Sequence, residues 1–150
     1  MVKHFFERHK DIGLLILRIG IGISFIFVHG LPKMMGGPQL WEKLGSSMAN
    51  LGITFVPVFW GFMAAITEFG GGILLLMGLF TRTSSAFLAF TMIVAAMRHL
   101  TAMDPWGRVF HPIEIMVVFI ALIFLGAGKY SIDAMIARKK NRIAPDNPIG

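Results

Sequence analysis

The stretch FVPVFWGFMAAITEFGGGILLLMGLF, residues 55–80, is uncharged except for one carboxylate near its centre, Glu68. It is longer than the ~20 residues that an α-helix needs to cross ~30 Å of hydrocarbon. An ionised side chain at the centre of such a span costs ~2.5–3.5 kcal/mol on membrane-insertion scales. The stretch therefore predicts a membrane-spanning helix in which Glu68 is retained either to hold helices together or to do chemistry.

Three further apolar stretches, residues 12–31, 84–103 and 112–128, have a similar character. Hydrophobic residues make up 55% of the chain, charged residues only 15%, and the mean hydropathy is +0.72. A soluble domain has nearer ~25% charged residues. The first stretch is too long for a signal peptide and carries Arg18 internally. The sequence thus predicts an all-α, integral membrane four-helix bundle in one domain.

Several classes of site and partner are excluded by composition. The chain contains no cysteine, which rules out disulfides, a thiol relay, Cys-ligated zinc and iron–sulfur clusters. The net charge of +6 is concentrated at the two ends. That distribution indicates contact with anionic lipid headgroups and not with nucleic acid.

The distribution of Lys and Arg predicts the topology. These residues are more frequent in the N-terminal arm, the turn at Arg82 and the tail than in the intervening loops, so the positive-inside rule places both termini in the cytoplasm. We expect a cytoplasmic basic arm at 1–11, the four-helix domain at 12–136 and a flexible basic cytoplasmic tail at 137–150.

The loop at 32–54 carries apolar residues at helical spacing, including Leu40, Trp41 and Leu44, and ends at Gly52, a typical helix C-cap. It predicts a short amphipathic helix between the first two spans, lying on the external membrane surface with Trp41 at headgroup level. Packing of this helix against the end of the bundle is the alternative.

In the first span Arg18, Gly22, Phe25 and His29 form one helical stripe, which should face the bundle interior. Lys33 continues that stripe and is expected beyond the membrane boundary. Because Glu68 needs a cation or a proton, the sequence predicts a buried ion pair between Arg18 and Glu68.

The external ends of the spans carry a second set of ionisable residues: His29, Arg98, His99, His111 and Glu114. They predict a polar chamber below the external surface, in which Arg98 would pair with Glu114. Histidines at such a place suit proton exchange near neutral pH. The alternative is that these helix ends simply meet headgroups and water.

A metal centre is a weaker hypothesis. Di-iron bundles use four carboxylates and two Glu-x-x-His motifs, whereas the spans here contain two glutamates and the reversed motif His111-x-x-Glu114. No metal is predicted, and no haem, although two of His29, His99 and His111 could serve as axial ligands.

Four segments resemble the DoxX family: residues 18–33, 67–82, 111–114 and 126–133. The resemblance covers about residues 12–136, with Lys129 where arginine is frequent. It implies a four-helix inner-membrane protein of bacteria or archaea. Relatives include subunits of a thiosulfate:quinone oxidoreductase, proteins that assemble with secreted redox enzymes, and assembly chaperones.

We therefore expect a quinone- or quinol-binding redox membrane protein, or the membrane subunit of such a complex. The predicted catalytic residues, which would exchange protons, are Glu68, His29 and Glu114. The predicted substrate-binding residues are Arg18, Arg98, His99 and His111. A partner redox subunit, a secreted redox enzyme or further copies of the chain would complete the assembly. A non-catalytic scaffold or assembly factor and a small transporter are the alternatives.

Overall fold

The computed structural model describes residues 2–143, with side chains for residues 9–141. Within that range the chain is helical and contains no β-strand. The helices are α1 (Val2–Ser24), α2 (Leu31–Met35), α3 (Gly37–Gly45), α4 (Pro57–Met77), α5 (Thr81–Thr101), α6 (Trp106–Leu125) and α7 (Ile132–Ile143). A π-helical turn, Phe25–Gly30, joins α1 to α2, and a 3-10 turn, Ser46–Leu51, follows α3.

Four helical segments are long and apolar enough to span a membrane: His9–Met35, Pro57–Met77, Thr81–Thr101 and Trp106–Leu125. The predicted fold class is therefore confirmed. α4 packs against α1 and α5, and α5 packs against α6. The shared core contains Phe25, Leu75, Leu88 and Phe119, and the rings of Phe25 and Phe119 meet edge to face at 5.0 Å.

The first span is longer than predicted because the chain stays helical through Pro32. The backbone N–H of Leu31 donates to the carbonyl of Ile26, five residues earlier, and a proline lacks the N–H that an α-helical bond would need. The predicted apolar stretch ended at residue 31, just before this proline. Instead α2 continues to Met35 and carries Lys33 along the side of α4.

The last span also begins earlier than predicted. α6 starts at Trp106, so Pro112 lies inside the helix and not at its first turn. Glu114 is consequently the ninth of 20 helical residues, near the middle of the span. The carboxylate of Glu114 therefore lies deeper in the span than the predicted external boundary.

Close backbone contact fixes α3 against α4. A methyl group added at Gly45 would overlap the backbone of Pro57, and one added at Gly61 would overlap the backbone of Trp41. The indole N–H of Trp41 donates to the carbonyl of Lys33 at 2.7 Å, and its ring packs on Phe62. The helix predicted within 32–54 exists, and these contacts favour the alternative of packing against the bundle.

The predicted tail begins inside a helix. α7 runs to Ile143, and its first turn, within the predicted domain, holds Asp133, which accepts hydrogen bonds from the backbone N–H groups of Phe80 and Thr81. The flexibility of the tail stays a prediction. Residues 144–150 lie outside the described part of the chain.

Candidate functional site

The carboxylate of Glu68 is paired with Lys33. Glu68 is the twelfth of 21 residues in α4 and only 1% exposed. The Lys33 ammonium donates to its two oxygens at 2.6 and 2.5 Å. The lysine side chain is 27% exposed, so the ion pair is accessible on the Lys33 side and enclosed on the Glu68 side. A charge-assisted pair of this kind offsets the cost of burying the carboxylate.

The predicted Arg18–Glu68 ion pair was wrong. Arg18 is fully buried at the other end of the bundle, where its guanidinium donates to the carbonyl of Tyr130 at 2.5 Å and lies against Gly78. Since Lys33 is carried inward by α2, it reaches Glu68 first. We call the two ends of the bundle the Arg18 end and the Lys33 end.

A cavity of about 560 Å³ opens beside the Lys33–Glu68 pair, between α4, α5 and the segment that contains α3 and the 3-10 turn. Most of its wall is apolar or aromatic, with Phe59, Trp60, Phe87 and Phe90 among the lining residues. Three of these rings are about half exposed at the outer surface of the helices. The cavity therefore faces the region where lipid would lie and ends on a buried charge pair.

Two predicted site residues of α5 line the same cavity, Arg98 and His99. Arg98 makes no ion pair with any described side chain, and it does not meet Glu114 as predicted. His99 is held by the next loop, since its Nδ1 lies 2.7 Å from Oδ2 of Asp104. The structure thus brings Glu68, Arg98 and His99 together around one space and adds Lys33 to them.

Asp104 is the acidic member of a small surface network. Its other oxygen accepts a weak hydrogen bond from Arg108 at 3.4 Å. The hydrogen bond from His99 lowers the pKa of Asp104 most, and the positive charge of Arg108 lowers it further. The contact with this carboxylate fixes the orientation of the His99 imidazole at the cavity.

The remaining predicted site residues lie outside the cavity lining. The rings of His29 and His111 face each other at 6.2 Å between centroids, between the π-helical turn at Phe25–Gly30 and α6. Glu114 is exposed on α6. The single polar chamber predicted from the sequence is therefore divided between two places, and the assignment of His29 and Glu114 as catalytic stays a prediction.

Among the described residues, no group of three His, Asp or Glu side chains is arranged to hold a metal ion. Sequence reasoning missed two groups, Lys33 and Asp104. The signal for Lys33 was present, because it continues the Arg18–His29 stripe at a spacing of four residues. Asp104 lies five residues after His99 and across a turn, where spacing in the sequence does not predict which side chains meet.

The comparisons with known proteins agree with the architecture. The sequence profile of the DoxX family matches residues 13–102. Inner membrane protein YqjF of Escherichia coli is 31% identical over 139 residues, covering 89% of this chain and 98% of that protein. The Bacillus subtilis protein named "Putative oxidoreductase CatD" is 30% identical over 136 residues, covering 90% and 96%.

Inner membrane protein YphA of Escherichia coli is 30% identical over 137 residues, covering 85% of this chain and 93% of that protein. No solved structure matches the chain significantly. The matches extend over nearly the full length of the relatives, two of which are named as inner membrane proteins. The chain is a multi-pass membrane protein and belongs to the DoxX family.

Proposed function

We propose that the cavity at the Lys33 end binds the head of a quinone or quinol and exchanges protons with it. The observation that carries this proposal is the combination of an apolar, aromatic-lined space of about 560 Å³ with a buried Lys33–Glu68 pair at its wall. A small-molecule site is commonly apolar with a few converging polar groups. A quinone head is flat, apolar on its faces and polar at two opposite oxygens, which matches such a space.

The polar groups of the cavity suit the two oxygens of that head. Lys33 and Arg98 are donors that would bind a carbonyl or phenolate oxygen, and Glu68 would accept a quinol hydroxyl proton. Oxidation of a quinol releases two protons and two electrons, and reduction takes up the same number. Glu68 and the His99–Asp104 pair supply two proton-exchange groups at the cavity wall.

The electrons would pass to or from a separate redox protein or a second substrate. The name of one relative describes an oxidoreductase, which supports redox chemistry as the setting. With both termini cytoplasmic, the Lys33 end would face the external side of the membrane. A partner subunit or secreted redox enzyme on that side would then be the electron donor or acceptor.

Retention of quinone by the purified protein tests the proposal. The protein is extracted from native membranes in mild detergent, and bound lipids are identified by mass spectrometry of an organic extract. We expect a quinone at close to one per chain in the wild type. In Glu68→Gln and in Arg98→Gln at least tenfold less should be retained.

Arg82→Gln is the matched control for Arg98→Gln, because Arg82 lies at the other end of α5, the helix that carries Arg98, and does not line the cavity. It should retain quinone like the wild type. Melting temperatures of all variants show whether they stay folded. Equal retention by wild type and both cavity variants would overturn the site, and absence of quinone from every preparation would favour the scaffold function.

A further inference from the structure

The cavity at the Lys33 end follows the groove between α4 and α5 from the end of the bundle to the middle of both helices. Trp60, near the start of α4, and Arg98, near the end of α5, line its outer part. Glu68, the twelfth of 21 residues in α4, lines it halfway along that helix. Because a short turn joins α4 to α5 and the two helices pack side by side, they run antiparallel. Depths counted from the Lys33 end can therefore be compared between them.

Two phenylalanines of α5 line the inner part of the same cavity. Phe87 and Phe90 are the seventh and tenth of the 21 residues of α5. Counted from the Lys33 end, Phe90 is level with Glu68, and Phe87 lies about one helical turn deeper. The side chains of Phe87 and Phe90 are 61% and 48% exposed. Since an exposed side chain in the middle of a span meets lipid chains, the cavity opens sideways to lipid beside these two rings.

The charged groups occupy the other part of the cavity. Arg98 lies eight residues beyond Phe90 on α5, which is ~12 Å along the helix axis, and eleven residues beyond Phe87, which is ~16 Å. Glu68 is 1% exposed and faces the bundle. A quinone ring held between Glu68 and Arg98 is too short to fill this length as well. The inner end of the cavity, beside Phe87 and Phe90, therefore has room for a further apolar part of the ligand.

We infer that the ligand is a quinone with a polyprenyl tail, and that the tail leaves the cavity past Phe90 and Phe87 into the middle of the bilayer. The inference rests on the proposed quinone-binding function and adds the class of quinone and its orientation. A tail that left at the outer end would pass the charged side chain of Arg98 and approach water, which is unfavourable for a hydrocarbon chain. The sideways opening also gives such a ligand a path from the lipid to the Lys33–Glu68 pair.

Two photoreactive probes with the same quinone head test the position of the tail. One probe carries a diazirine on the ring, and the other carries it on the first isoprene unit of the tail. The protein is reconstituted into phosphatidylcholine vesicles that contain no other quinone. After illumination, the labelled residues are identified by mass spectrometry of peptides. An excess of unlabelled polyprenyl quinone shows which labelling is displaceable.

The tail probe should label residues 87–91, and the unlabelled quinone should lower this labelling at least tenfold. The ring probe should instead label residues 94–99 or the first two turns of α4. α6 is the control within the same molecule, because its Phe124 is 78% exposed and no residue of α6 lines the cavity. Labelling of α6 by probe dissolved in the lipid should not change when unlabelled quinone is added.

A variant at the opening separates contact with the tail from contact with the head. Phe87→Ala should weaken binding of the polyprenyl quinone at least threefold and leave binding of the tailless quinone with the same head unchanged. Comparing wild type with variant for each quinone cancels the partitioning of the tailed quinone into the membrane. Phe124→Ala removes a lipid-exposed ring from α6 and should change neither affinity.

The possible failures of the inference and of the proposed function give different results. Displaceable labelling by the ring probe, combined with tail labelling outside residues 87–91, would overturn the inference and leave the quinone site standing. Unchanged binding of the polyprenyl quinone to Phe87→Ala, or equal weakening for both quinones, would overturn it as well. If neither probe gives displaceable labelling, the proposed quinone site is overturned and this inference with it.

Discussion

The two ends of the bundle hold their charges in different ways. At the Arg18 end, the hydrogen bonds of the charged side chains go to backbone: Arg18 to the carbonyl of Tyr130, Asp133 to two N–H groups, and Asp11 to the N–H of Lys129, whose ammonium also lies 3.6 Å from the Asp11 carboxylate. At the Lys33 end, side chains bond to side chains beside an open space.

The two kinds of bonding partner, backbone and side chain, suit different roles for a buried charge. A charge bonded to backbone ties one loop to one helix. A side-chain pair at the wall of a cavity can exchange its partner for a ligand. The contacts of the Arg18 end therefore join loops to helices, whereas the Lys33 end is the one at which we propose that a ligand binds.

The largest expected effect comes from breaking the pair at the Lys33 end. Glu68→Gln should lower the free energy of unfolding by ~3 kcal/mol, because it leaves the Lys33 ammonium without its carboxylate in a half-buried position. Thermal melting in detergent measures this loss. Lys33→Met combined with Glu68→Gln should recover part of it, and strictly additive losses would contradict the pairing.

The next effect tests the close backbone contact between α3 and α4. Gly61→Ala should cost ~1–3 kcal/mol or more, because its methyl group would overlap the backbone of Trp41 and push α3 away from α4. Gly20→Ala is the matched control, since nothing lies within 4 Å of the added carbon. Replacing glycine by alanine in a helix is otherwise favourable, so this control should melt at or above the wild-type temperature.

A smaller loss is expected at the Arg18 end. Asp133→Ala removes the carboxylate that accepts from two N–H groups at the start of α5, at 2.9 and 3.1 Å. A capping contact of this type is worth ~0.5–2 kcal/mol. If the two ends are as distinct as proposed, this variant melts earlier but retains its bound quinone. Loss of quinone from a folded Asp133→Ala protein would show that the ends are coupled.

The smallest effect is a pH dependence. The pKa of Asp104 is lowered by His99 and Arg108, so its contribution to stability is fully present above its unfolded pKa of ~3.9 and disappears as the pH falls through the lower, folded value. The difference in melting temperature between wild type and Asp104→Asn should be larger at about pH 5 than below about pH 4. A difference that grows on acidification would contradict this sign.

The number and type of the spans followed from the sequence because hydropathy over ~20 residues is a strong and local signal. The partners of the charged groups did not follow. Arg18 and Glu68 were paired because both lie inside apolar stretches, but their relative height depends on where each helix begins. The bounds of two spans were also wrong: the predicted stretches stopped at residue 31 and began at residue 112, whereas Pro32 and Pro112 both lie inside helical structure.

The candidate site was predictable in part. Glu68, Arg98 and His99 were singled out as ionisable groups in or beside spans, and they do line one cavity. The separation of Glu114 and His111 from them could not be foreseen, because helical spacing gives the face of a residue only relative to its own helix. Which faces then meet depends on crossing angles and on close contacts such as that between Gly22 and Gly72.

The π-helical turn at Phe25–Gly30 has a consequence for the phase of the first span. An α-helix advances ~100° per residue, and a π turn accommodates one extra residue in the same length of axis. Every side chain after the turn is thus rotated relative to α1, and Lys33 is directed at Glu68 by that rotation. An uninterrupted α-helix over the same residues would rotate Lys33 by about 100° away from Glu68, whereas removing one residue from the turn would restore an ordinary helix and keep Lys33 in place. The contact between Lys33 and Glu68 thus depends on how one extra residue is accommodated in a segment whose only ionisable side chain is that of His29.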